Sequence, residues 1–212
     1  MKLLLTIVMA MLTTAISAGV DFDKYFDGRT LRIDYTFAGD SAKQEIFLNE
    51  CYSLGPWAGR RVNLDKMLLE GTADITMRTC SDHEVIYQYS FSTHFQDWTG
   101  IKQATELKRA YDHVVQLPMP RQPVEIEINL YDFRQKPVAS LTHRFDPADI
   151  LIRNLSVNAP TLPTKKIMHS GSPADCIDIA ILAEGYAESE LPQFYSDAAK
   201  FTDALFSYEP FK

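Results

Sequence analysis

Val124-Glu125-Ile126-Glu127-Ile128-Asn129-Leu130 alternates apolar and polar side chains at every step. Successive side chains of an extended chain point to opposite faces, so this stretch reads as a strand with one buried and one wet face. The same period of two recurs on the N-terminal side of it. Leu31, Ile33, Tyr35 and Phe37 alternate with Arg32, Asp34 and Thr36, and Val85, Tyr87, Tyr89 and Phe91 alternate with Glu84, Gln88 and Ser90. Weaker versions lie at 43–48, 72–79, 112–117 and 138–145, separated by turn signals such as Ala38-Gly39-Asp40, Glu70-Gly71 and Pro118-Met119-Pro120. Closely spaced strands with one wet face pair antiparallel, and about seven or eight of them over roughly 120 residues can close two sheets over one core. The expected fold is therefore mainly β, an antiparallel β-sandwich. One short helix is expected within it at 99–110, with Thr99 as cap and Ile101, Ala104 and Leu107 on one side.

Beyond Asp146-Pro147 the pattern changes. Pro160, Pro163, Gly171 and Pro173, interleaved with Ser and Thr, give 154–173 the composition of a linker. Cys176-Ile177-Asp178-Ile179-Ala180-Ile181-Leu182-Ala183 is then nearly continuous in apolar residues, as in a strand covered on both faces. Glu184-Gly185-Tyr186 turns out of it, and a helix is expected from Ser189 as N-cap, with Leu191, Phe194, Tyr195, Ala198, Phe201 and Leu205 along one side. A strand of that kind needs parallel partners, which these residues do not supply. The segment reads as an incomplete α/β unit, strand-turn-helix, at 174–212, after a sandwich at 18–153.

At the other end, Lys2, the apolar run Leu3 to Leu12 and the small-x-small site Ala15-Ile16-Ser17 read as a cleavable signal peptide, residues 1–17. The run is too short to span a bilayer comfortably, so no membrane span is expected in the mature form, which is placed outside the cytoplasm, secreted or periplasmic. Of 212 residues, 46% are hydrophobic and the net charge is −7, values of a globular chain with a substantial core. Nucleic acid is not an expected partner, because no Lys/Arg stripe is present to neutralise phosphates. The three cysteines, Cys51, Cys80 and Cys176, show no C-x-x-C spacing. Cys51 and Cys80 are compatible with a bridge or with buried free thiols.

No reactive constellation emerges from the motifs. The five histidines are scattered, and His83-Glu84-Val85-Ile86-Tyr87 has Tyr87 where a zinc-binding helix would carry its second His. No G-x-S-x-G elbow or phosphate loop is present. No catalytic residue and no metal ligand is therefore assigned. Trp57 and Trp98, both beside turns, are candidate ligand-binding platforms, with packing roles as the alternative. Glu184 and Tyr186 are candidates for the rim of an active site, because open α/β sheets gather reactive groups at the carboxyl ends of their strands. The alternative for Glu184 is a turn residue facing the next helix.

Three stretches carry a family resemblance: Gly55-Pro56-Trp57-Ala58-Gly59-Arg60-Arg61-Val62-Asn63-Leu64-Asp65, Tyr89 through Trp98, and Asp146-Pro147-Ala148-Asp149-Ile150-Leu151-Ile152-Arg153. They resemble the N-terminal domain of the IgA-peptidase family of zinc metallopeptidases, and Asp178 to Phe211 resembles the start of that family's catalytic domain. The resemblance implies an exported protein with a sandwich ahead of a zinc-dependent catalytic domain, acting on a protein or peptide substrate. It also implies an H-E-x-x-H helix, which these residues lack, so zinc is expected only with the missing C-terminal catalytic domain and no cofactor in this chain. The alternative is an exported sandwich that binds a glycan or a protein.

Overall fold

The computed structural model describes residues 19–155, 162–172 and 176–212. The expected signal peptide, 1–17, lies outside them, as do 156–161 and 173–175 of the expected linker and its boundary. Eight strands among the described residues form two four-stranded sheets. Sheet A runs β5 (Arg109–Pro120), β1 (Phe26–Gly39), β2 (Gln44–Pro56) and β8 (Arg153–Asn154). Sheet B runs β4 (Val85–Phe91), β3 (Ala73–Thr79), β6 (Val124–Tyr131) and β7 (Pro137–Phe145). Every pairing is antiparallel except that of β8, which lies parallel to β2 over Tyr52–Arg153 and Ser53–Asn154.

Alternation decides which faces meet. Along β6, Val124, Ile126, Ile128 and Leu130 are buried while Glu125, Glu127, Asn129 and Tyr131 face outward. Leu31, Ile33, Tyr35 and Phe37 of β1 and Val115 and Leu117 of β5 meet them from sheet A, while Ile75 and Met77 of β3 extend the inward row of sheet B. Inward apolar rows on both sheets remove water from one contiguous core, the main favourable term in the fold. The expectation of a mainly β, antiparallel sandwich with one short helix agrees with this architecture.

Two local expectations are corrected. The helix lies at His94–Thr99 (α2, after the single-turn α1 at Phe22–Tyr25), and a 3-10 turn at Lys102–Thr105 follows it. Thr93 caps α2, its side chain accepting from the Gln96 N–H at 3.0 Å, and Thr99 is its last residue. Spacing of three in Ile101, Ala104 and Leu107 suits a 3-10 turn, and only Ala104 is buried. Second, Pro118 and Pro120 belong to β5. An edge strand tolerates a residue without an N–H, and the turn falls at Arg121–Pro123.

Residues 176–183 pair with no strand among the described residues, in keeping with the want of a parallel partner; Ile177 is 92% exposed and Leu182 80%. A strand exists only by hydrogen bonding to a neighbour, and none is beside it among the described residues. The helix after it is present as α3 (Leu191–Leu205), with Phe194, Ala198 and Thr202 buried. Its start differs by two residues: Ser189 lies in a 3-10 turn, and Glu190 closes that turn by accepting the Ala187 N–H at 2.8 Å.

Candidate functional site

The loop between β2 and β3 opens with Trp57-Ala58-Gly59-Arg60. The indole N–H of Trp57 donates to the Arg60 carbonyl at 3.0 Å and the Trp57 N–H to that of Gly28 at 2.8 Å, folding the loop back against the start of β1. The ring lies over Gly59, where any Cβ would overlap it, and meets Tyr87 edge-on at 5.9 Å. Glycine is needed here by close approach, although the backbone itself demands no unusual angle. Arg60 places its guanidinium over the Tyr87 ring and donates to the carbonyls of Gln88, Lys66 and Leu64. Gln88 answers by donating its N–H to Leu64 and its side-chain amide to the Asp65 carbonyl. Leu64 is fully buried between these contacts. All three carbonyls converge on one terminal nitrogen, Nη2, of the Arg60 guanidinium, while the buried Nε meets no partner among the described residues. The stretch is a pinned loop. The polar groups of Trp57 and Arg60 are spent on backbone carbonyls.

The second stretch, Tyr89 to Trp98, also holds structure. Ser90 accepts from Gly71 and donates to the Ala73 carbonyl, fixing the entry to β3. Phe95 and Trp98 on α2 are buried and stack at 5.9 Å, and buried Gln96 donates to the side chain of Gln44 at 2.6 Å. Trp98 is 6% exposed, so its ring offers no open face to a sugar. Trp57, half-buried with one face on Gly59, offers little more. The two indoles belong to different loops, and no contact joins them.

In the third stretch, Asp146 accepts the Ala148 N–H and Asp149 the Leu151 N–H, so that two successive turns carry the chain from β7 to β8. Ile152 packs on the core, and Arg153 pairs with Glu50 and donates to the Tyr52 hydroxyl at 2.8 Å. The Glu50 carboxyl is held below its ordinary range by the Tyr52 hydroxyl and then by Arg153.

Glu184 and Tyr186 flank Gly185, which takes a left-handed angle. Tyr186 turns back onto α3, its ring 5.3 Å from Phe194 and its hydroxyl donating to Asp197 at 3.3 Å. The Glu184 carboxylate is exposed and meets no partner among the described residues. The turn thus presents one carboxylate and ties down the neighbouring phenol.

Among the described residues, no three His, Cys, Asp or Glu side chains gather closely enough to hold a metal ion. His83 sits in the β3–β4 turn with a left-handed backbone, immediately ahead of β4, where a zinc helix would need helical angles. All three cysteines are free. Burial pushes the Cys51 thiol up to about 11, while Cys80 and Cys176 are exposed. No described helix is long and apolar enough to cross a membrane.

Fold and loops together define a β-sandwich module whose conspicuous motifs serve to lock its own turns, joined to the opening of a second, helical segment. The chain belongs to the M64 peptidase family. Residues 21–142 match the family model described as Peptidase M64 N-terminus, and residues 166–212 match the one described as IgA Peptidase M64. No curated protein matches the chain. The pinned loop and α2 fall within the first match, and Glu184 and Tyr186 within the second. Sequence reasoning found these stretches as motifs but missed that Arg60 and Gln88 are their fasteners; the signal was Gly59, a glycine beside a tryptophan and an arginine.

Proposed function

We propose that this chain supplies the accessory β-sandwich, residues 18–153, and the first βα unit of the catalytic domain, residues 174–212, of an exported zinc metallopeptidase that hydrolyses a protein or peptide substrate. The observation that supports this reading is the succession of two matches in one chain, an M64 N-terminal region and then the opening of an M64 peptidase region. The linker at 154–173 joins the two parts. The signal-like residues 1–17 support export of the mature chain to the periplasm or the cell exterior.

Zinc would supply a polarised, activated water for peptide hydrolysis. The described residues do not fit that ion, for want of three convergent ligands. Its ligands and general base belong, in this reading, to catalytic-domain sequence outside these residues. The role left to Glu184 is at the cleft rim, where a free carboxylate orients a ligating histidine or the substrate's amine.

Elemental analysis of the dialysed chain, with casein and immunoglobulin cleavage assays, tests the reading. We expect neither stoichiometric zinc nor cleavage. Zinc retained at one equivalent would overturn the assignment of the metal site to residues outside this chain. The glycan-binding alternative rested on the two tryptophans, and the burial of Trp98 removes much of that support.

A further inference from the structure

The two sheets of a sandwich are held most weakly along their lateral seams, where edge strands meet and water is near. On one side of this sandwich β7, an edge of sheet B, runs beside β2 of sheet A. There His143 of β7 reaches across to Tyr35 of β1, Nε2 to hydroxyl 2.7 Å, with the rings edge-on at 5.8 Å. On the other side β5 and β4 are the edges, and His113 of β5 stacks on Phe91 of β4 at 4.9 Å and on Phe37 at 5.2 Å. Each seam therefore carries one half-buried imidazole in contact with an aromatic ring of the opposite sheet.

We infer that the sandwich has an acid-operated seam, in which protonation of His143 releases the β7 edge from sheet A. Tyr35 is completely enclosed, and burial pushes its hydroxyl well above the ordinary range, so it keeps its proton and needs an acceptor. A neutral imidazole provides that acceptor through the Nε2 lone pair. A protonated imidazole has no lone pair. It can only donate to the tyrosine oxygen, which leaves the hydroxyl hydrogen without a partner and a cation between the sheets.

The surroundings do not compensate this charge. From β1, Tyr35 faces the imidazole; from β2 and β4, Cys51 and Tyr89 act on Tyr35, and burial keeps both neutral. From β6, Ile126 stands opposite in register. On β7 itself, Arg144 is directed to Asp146, and the buried Nδ1 of His143 meets no hydrogen-bond partner among the described residues, so no contact rewards the charged ring. Burial lowers the His143 pKa below its ordinary 6.5. Stability from this group is then complete above pH 6.5 and falls as pH drops through the lowered folded value, because the unfolded chain binds the proton more readily.

His113 behaves differently. Its pKa is lowered in the same direction, by burial and then by His94, but its ring stacks on two phenylalanines, and a charged ring gains cation–π attraction there. The β4–β5 seam should resist acid better than the β2–β7 seam. The contrast gives an internal control.

Amide hydrogen exchange of the full chain at pH 7.5 and 5.0, corrected for intrinsic rates, tests the inference. The amides of β7, of the β6 edge paired to it and of β2 beside it should open several-fold more often at pH 5.0, while β3 and the β6 amides paired to β3 change little. His143→Gln retains an oxygen acceptor for Tyr35 and cannot titrate, so the difference should vanish; in His113→Phe it should persist. In the wild-type chain, where folding of a variant is not at issue, the His143 ring resonances should titrate below 6.5. Uniform acceleration over all strands, persistence of the step in His143→Gln, or a His143 midpoint at or above 6.5 would each overturn the inference.

Discussion

Ile126→Ala tests whether the two faces of β6 are correctly assigned. The side chain is fully buried, with Met77 of β3 on one side in register and His143 of β7 on the other. Truncation to alanine removes three carbons, about 2.4 kcal/mol of transfer free energy at ~0.8 kcal/mol per methylene. A central strand cannot collapse into the space, because its backbone is hydrogen-bonded on both edges, so a cavity term raises the total toward ~3–5 kcal/mol. For a module of this size, that loss corresponds to a fall in Tm of roughly 10 °C or more. Glu127, the next residue, points outward; its carboxylate is 3.9 Å from Arg78 and accepts from Asn129 at 3.3 Å. Exposed contacts of that kind contribute less than about 1 kcal/mol, so Glu127→Ala should shift Tm by only a few degrees. Urea unfolding followed by circular dichroism, with the slope checked for constancy, measures both changes. Equal losses for the two variants would refute the face assignment and with it the register of sheet B.

In Gly59→Ala the added methyl must displace the Trp57 ring, which should cost about 1–3 kcal/mol and redshift the tryptophan emission; an unchanged spectrum would mean that the loop is not packed as described. Thiol labelling at pH 8 should show two fast groups, Cys80 and Cys176, and one slow group, Cys51, whose thiolate fraction is reduced roughly 100-fold by its raised pKa. Three equally fast thiols would contradict the burial of Cys51. In a peptidase-active polypeptide that contains this chain, Glu184→Gln should lower turnover about 10- to 100-fold with an unchanged thermal midpoint. Intact activity would make Glu184 a turn residue only.

The sequence by itself determined the strands that show a clean period of two, because side-chain alternation is a local property that the solvent reads directly. β1, β6 and the apolar face of α3 were legible for that reason, and so was the family, since its motifs are contiguous. The position of α2 was less legible: its cap is Thr93, and the 3-10 turn imitates a helical spacing for only one turn. Tertiary structure alone decided the partners. It brought His143 to Tyr35 across 108 positions, turned Arg60 onto carbonyls of β4 and its own loop, and placed Trp98 inside the core. Among the described residues the apolar run at 176–183 pairs with no strand, because a ladder needs a neighbour that the run cannot itself supply. Strand pairing and side-chain hydrogen bonds take their energy from groups distant in the chain, so the local sequence can offer a donor, an acceptor or an apolar face but cannot specify what meets it.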